Sequence, residues 1–186
     1  MREAMTTRPN ILLIVTDQQR ADHLGCAGHP LLRTPHIDAL AAQGVRASRF
    51  HAASTTCMSN RATLMTGRLP SQHGVVHNGV NLSRDHSTFV ELLRAAGYGT
   101  ALIGKSHLQS FGYDGPLRRR WSNTNGGTPP PPELSDARKR ARAGTGYGNE
   151  WTPDWRSGAR EHVETPYYGF DHVELATLHG DQVDGD

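Results

Sequence analysis

Asn10-Ile11-Leu12-Leu13-Ile14-Val15-Thr16, followed at once by Asp17-Gln18-Gln19-Arg20, is the stretch on which the fold reading turns. An unbroken apolar run of strand length, without polar alternation, fits a strand covered on both faces in a parallel sheet. The abrupt change to polar residues places a carboxylate and an amide at its C-terminal end. Open α/β sheets bind their ligands there.

Outward from this strand, helix and strand signals alternate. Thr34-Pro35 reads as an N-cap with a first-turn proline and Gly44 as a stop, which predicts a helix over 35–43 with Ile37 and Leu40 facing inward. Residues 45–51 have strand character interrupted by Arg46 and Arg49. Asn60 to Thr66 reads as a helix ended by Gly67. Thr88-Phe89-Val90-Glu91 is a capping box that opens a helix over 89–96, ahead of Gly97. Thr100-Ala101-Leu102-Ile103-Gly104 is a short buried strand followed by Lys105-Ser106-His107, and Val173 to Ala176 is a further strand. The order predicts an α/β fold, a largely parallel sheet flanked by helices, with strands near 11–16, 45–50, 99–103 and 172–176 in one sheet.

The bulk numbers set limits on this reading. A chain of 186 residues can close one domain around a real core. Apolar residues make up 35%, and the formal net charge of +2 argues for no particular partner. The polarity is uneven. Residues 114–160 hold Leu117 and Leu134 as their only aliphatic side chains larger than alanine, four consecutive prolines from Pro129 to Pro132, and eight arginines with Lys139 against five acids. That composition predicts a flexible insertion with little regular structure. The expected organisation is residues 1–113 as the first part of a catalytic domain, 114–160 as the insertion, and 161–186 as the return to the domain.

Nucleic acid is not an expected partner, because the arginine-rich stretch 118–142 has only Trp121 as a stacking surface. No apolar run is long enough to span a membrane, and the first ten residues carry no apolar signal region, so the expected location is cytoplasmic. Cys26 and Cys57 do not make a disulfide framework. The sequence leaves the oligomeric state open.

Three polar clusters sit at strand ends or helix starts: Asp17-Gln18, Cys57-Met58-Ser59-Asn60-Arg61 and Lys105-Ser106-His107. In one parallel sheet they converge on one edge. Arg61, Lys105 and the free N–H groups of a helix N-terminus suit the oxygens of a small anionic ester. Asp17 and the Gln18 carbonyl offer hard oxygens to Ca²⁺, Mn²⁺ or Mg²⁺.

These blocks resemble the sulfatase family of the alkaline phosphatase-like superfamily. Residues 9–20 are similar to its opening strand. Cys57 to Gly67, with Arg68-Leu69-Pro70 and His73-Gly74-Val75, is similar to its signature. Gly104-Lys105-Ser106-His107-Leu108 is similar to its second signature. In motif the chain is closest to the phosphonate monoester hydrolase-like and choline sulfatase-like branches.

The resemblance implies hydrolysis of sulfate esters, with phosphonate monoester or phosphodiester hydrolysis, or an inactive truncated relic, as the alternatives. It implies that a formylglycine-generating or maturase enzyme oxidises Cys57 to formylglycine, whose hydrate attacks sulfur or phosphorus and then expels the anion. It further implies Asp17, Gln18 and the Cys57 derivative as ligands of a divalent metal, Ca²⁺ first, with Mn²⁺ or Mg²⁺ as alternatives. Arg61 then supports the nucleophile, while Lys105 and His107 bind the transferring group.

The chain departs from the pattern at two positions. Ser59 stands where the signature usually has proline, and Gln18 where many relatives have a second aspartate. No second metal-binding pair matches within residues 109–186, and the ending from His179 to Asp186 reads as an interrupted chain, so a fragment is expected. Cys26 and the remaining histidines read as ordinary packing or surface residues, and His73 as either a pocket or a turn residue.

Overall fold

The apolar and cap signals from residue 51 onward build a small mixed sheet with helices around it. The structure, a computed structural model, describes residues 8–112, 146–177 and 182–183. They fall into two compact units, 1–50 and 51–186.

In the first unit, α1 spans Pro35–Gln43 as predicted and follows a single 3-10 turn at Gly25–Ala27. Thr34 does not cap α1 through its side chain. Its hydroxyl donates to Asp38 Oδ1 (2.7 Å) and accepts from the Gly25 N–H (2.8 Å), while Asp38 Oδ1 also accepts from the Cys26 N–H (2.7 Å). The turn is thus tied to α1 by polar bonds. Ile37 and Leu40, expected to face inward, are 42% and 68% exposed.

Two expected strands are absent. Residues 11–16 have no regular secondary structure and no sheet partner among the described residues, and Ile11 to Val15 are exposed. An apolar run becomes a strand only when neighbours take its N–H and C=O groups, and the described sheet does not include this segment. Residues 45–50 are also not a strand, and Val45 and Phe50 lie in solvent beside the arginines that break the pattern.

The second unit holds α2 (Cys57–Thr66), α3 (Pro70–His73), α4 (Phe89–Ala95), β1 (Ala101–Gly104), α5 (Thr152–Ser157), β2 (His172–Thr177) and β3 (Gln182–Val183). β1 and β2 pair in parallel, Ala101 opposite His172 through Gly104 opposite Leu175, and β3 adds antiparallel to the end of β2. Two of the four expected strands therefore form and pair side by side. Helix signals hold closely. Gly67 ends α2 in the left-handed region (φ 66°), with its N–H on the Thr63 carbonyl at 2.8 Å. Thr88 and Glu91 exchange both bonds of the capping box at the start of α4.

The core gathers Met58, Ala62 and Met65 of α2, Val90 of α4, Leu175 of β2, and Leu82, Leu108, Tyr167, Tyr168 and Phe170 from connecting segments. Part of the expected insertion belongs to this body. Residues 146–160 include α5 and the fully buried Asn149 and Glu150, so the expectation of few buried contacts fails there. Residues 114–145, the rest of that expectation, lie outside the described residues.

Leu175→Ala is expected to destabilise the second unit by about 2–5 kcal/mol, the range for emptying a packed leucine site. Ile103→Ala, at a position 76% exposed, should change stability by less than about 0.5 kcal/mol. Urea denaturation of both variants checks the pair.

Candidate active site

Cys57 is the first residue of α2, and its neighbours are fixed by short-range polar bonds. The Thr56 hydroxyl bonds the Ser59 hydroxyl at 2.9 Å and lies 3.1 Å from that of Ser54, and Asn60 Oδ1 accepts from the Ala53 N–H at 3.1 Å. Met58 is anchored from below, its N–H on Asn78 Oδ1 (3.1 Å) and its sulfur accepting from the Gly79 N–H (3.0 Å). Met58 and Ser59 are completely buried, whereas Cys57 and Arg61, four residues apart on one helix face, are half-buried. Cys57 is a free thiol.

From this face the site extends across the unit. Arg61 Nη1 donates to the carbonyl of Lys105 at 2.6 Å, a contact between residues 44 positions apart. The cysteine-bearing helix and the turn after β1 are thereby joined. Gly104 leaves the strand at φ 103°, a conformation that favours glycine, and the chain turns through Lys105, Ser106 and His107.

His107 is 8% exposed and stacks on Phe111, ring centroids 3.8 Å apart and planes 7° from parallel. The Lys105 ammonium lies 5.8 Å from the centre of the same ring. Arg61, Lys105 and His107 are thus gathered into one neighbourhood, with Cys57 one turn from Arg61. Asp17 and Gln18 belong to the first unit, where both are exposed, and Gln18 is held at φ 31° with its N–H on Asp17 Oδ1 at 3.1 Å.

His73, left open by the sequence, is a packing residue. It is fully buried, and its Nδ1 accepts from the Val75 N–H (3.1 Å), so a neutral ring carries its proton on Nε2, 3.0 Å from the Thr63 hydroxyl.

The residues that sequence reasoning missed are polar and buried. Glu150 accepts from the N–H groups of His107 (2.6 Å), Leu108 (2.8 Å) and Gln109 (2.9 Å) and from the Tyr167 hydroxyl. Burial pushes its carboxyl above the usual carboxylate range, opposed by the Tyr167 and backbone hydrogen bonds. Gln109 Oε1 accepts from Gly148 and Asn149, both at 2.8 Å, and its amide donates to the Gly146 carbonyl, also at 2.8 Å. One signal for this segment was present. Thr152-Pro153 repeats the Thr34-Pro35 helix-start pattern and lies inside α5, which spans Thr152–Ser157.

A tightly held Ca²⁺ or Mg²⁺ takes about six to eight oxygen donors. Among the described residues no three His, Cys, Asp or Glu side chains are gathered as such a set. The described residues alone do not fit a resident divalent metal. No helix among them is long and apolar enough to cross a membrane.

A parallel strand pair with helices around it, a cysteine that starts α2, and cationic groups on α2 and after β1 define part of an alkaline phosphatase-like α/β domain. The family model described as Sulfatase matches residues 9–168, and the chain belongs to the sulfatase family. It is 41% identical over 102 residues to an ulvan-active sulfatase of Formosa agariphila, covering 55% of this chain and 20% of that protein. It is 42% identical over 113 residues to human steryl-sulfatase, covering 55% and 19%.

Among solved structures it resembles the phosphonate monoester hydrolase of Agrobacterium radiobacter, with TM-score 0.59, 28% identity, 94% of this chain and 27% of that one. It also resembles a protein solved in complex with its substrate D-glucosamine-2-N,6-O-disulfate, with TM-score 0.54, 36% identity, 56% of this chain and 21% of that one. The chain spans about a fifth of the length of these curated relatives.

Arg61→Ala is expected to destabilise the second unit by about 1–2 kcal/mol through loss of a charge-assisted bond to a carbonyl. Arg61→Lys should recover only part of this, since an ammonium lacks the planar fork. Chemical denaturation of both variants measures the difference.

Proposed function

We propose that this chain supplies the nucleophile and anion-holding part of a sulfatase that hydrolyses sulfate esters. The observation that carries this reading is the Arg61–Lys105 hydrogen bond, which joins the Cys57 helix to the Lys105–His107 turn. Family membership and the sulfatase relatives support it. In this reading a maturation enzyme oxidises Cys57 to formylglycine, and the hydrated aldehyde is the nucleophile. Its second hydroxyl provides for release of the anion, which neither a thiol nor a serine hydroxyl can do.

The chain's own residues divide the remaining work. Lys105 holds ester oxygens by charge, and His107, which stacks on Phe111, bonds an oxygen of the transferring group in this reading. Arg61 keeps the two segments in register and adds positive potential beside position 57. Ser59 is compatible with the fold of the signature helix, because its buried hydroxyl is satisfied by Thr56.

A divalent cation, Ca²⁺ or alternatively Mn²⁺ or Mg²⁺, would supply charge neutralisation only where oxygen donors beyond those of the described residues complete its shell. Asp17, Gln18 and the Cys57 derivative are the donors the chain offers, with further oxygens required from elsewhere. The organisation proposed is a catalytic part over 1–113, an inserted segment beginning at 114, and a return to the domain by 161, with residues 146–160 packed in the second unit.

A second reading has a specific observation behind it. The phosphonate monoester hydrolase aligns over 94% of the chain, and Gln18 lowers the negative charge that a second aspartate would bring. Phosphonate or phosphate esters are therefore the alternative substrates.

With so few donors, the 186-residue chain alone is expected to bind Ca²⁺ or Mn²⁺ weakly and to hydrolyse an aryl sulfate or a phenyl phosphonate ester negligibly. Calorimetric titration and a chromogenic assay check both. Robust metal-dependent turnover that Cys57→Ala abolishes would show that the chain needs no further donors. Preference for the phosphonate ester in that assay would favour the second reading.

A further inference from the structure

The turn that carries Lys105 and His107 is held by one buried carboxylate from the far end of the crossover. Glu150 is fully buried, and its oxygens are divided between two tasks. Oε2 accepts from the His107 N–H at 2.6 Å. Oε1 accepts from the N–H groups of Leu108 and Gln109 and from the Tyr167 hydroxyl. A carboxylate removed from water is tolerated only with donors of this kind around it.

His107 itself needs such a support. Its φ of 51° is in the left-handed region that a side-chain-bearing residue rarely adopts, and its ring lies flat against Phe111. We propose that Glu150 is a positioning residue for the candidate site, fixing His107 in this conformation and, through the shared Phe111 surface, setting where Lys105 stands.

A purely structural staple is the competing explanation, and the bonding pattern argues against it. The return segment 146–149 is already tied to the site turn by Gln109, whose side chain bonds Gly146, Gly148 and Asn149. Glu150 adds bonds to three successive amides that begin at His107, the residue with the unusual backbone. The inference rests on reading Lys105 and His107 as the groups that hold the anion, but its test does not require activity.

The informative substitution is Glu150→Gln in the full 186-residue chain. Glutamine keeps one oxygen for Leu108, Gln109 and Tyr167, and sets an NH₂ group against the His107 N–H. In nuclear magnetic resonance spectra the His107 ring protons should lose the upfield displacement caused by the stacked Phe111. The His107 amide should exchange about tenfold faster while Leu108 and Gln109 stay protected.

Val163 is a buried core residue, and Val163→Ala, which removes no hydrogen bond to the turn, should lower overall protection and leave the His107 ring signals in place. Glu150→Asp, which keeps the charge but is one methylene too short, should reproduce the His107-centred loss. Unchanged His107 signals in both Glu150 variants, or an even loss across α2 and β1 like that of Val163→Ala, would overturn the proposal. Titration with inorganic sulfate separates the two claims. Sulfate-induced shifts at Lys105 and His107 support the anion reading, and their absence contradicts that reading while the Glu150 result stands on its own.

Discussion

A parallel strand pair imposes the constraint on which the second unit depends. β1 ends at Gly104 and its partner β2 begins at His172, so the chain must leave the sheet and return in the same direction. Every site residue of this unit lies on α2 or at the exit of β1, and the turn there is only as well placed as the crossover that closes over it. The closure is polar. Glu150, Asn149 and Gln109 exchange buried hydrogen bonds with the turn, and the Tyr168 hydroxyl donates to the Leu82 carbonyl at 2.6 Å. Apolar packing from Met58, Leu108, Tyr167 and Leu175 surrounds this network. Such a network rigidifies only when every member is satisfied, which is why single polar changes in it should be felt at the site.

The parts of this arrangement that were legible in the sequence are those that local chemistry specifies. The glycine after Thr66, the Thr88–Glu91 pair and the proline at the start of α1 each mark a helix end with its own backbone geometry. The run 101–104 was legible because its alternatives are few, and the polar turn after it follows from where α/β sheets expose their strand ends. Cys57, Arg61 and Lys105 could be singled out because their order matched a pattern. Their contact, Arg61 on the Lys105 carbonyl, could not be read from spacing.

What was not legible depends on long-range pairing. The run 11–15 has the composition of a central strand, yet the described sheet gives it no partner, so its composition alone did not settle its state. Glu150 lies in a segment whose proline, glycine and arginine content argued for solvent. A buried carboxylate in such a stretch leaves no periodic signal, because its partners are backbone amides forty residues away. Position 59 shows the same limit. Serine replaces the usual proline, and only the Thr56–Ser59 hydroxyl contact shows how the helix start accommodates it.

The central claim is that Cys57 is the precursor of a nucleophile and not a packing thiol. Co-expression of the chain with a formylglycine-generating enzyme, followed by mass spectrometry of the tryptic peptide Phe50–Arg61, tests it most directly. The expected result is a peptide in which the position 57 thiol has been replaced by an aldehyde that reacts with a hydrazide probe. Complete retention of an alkylatable thiol at Cys57, while a control sulfatase peptide in the same cells is converted, would contradict it.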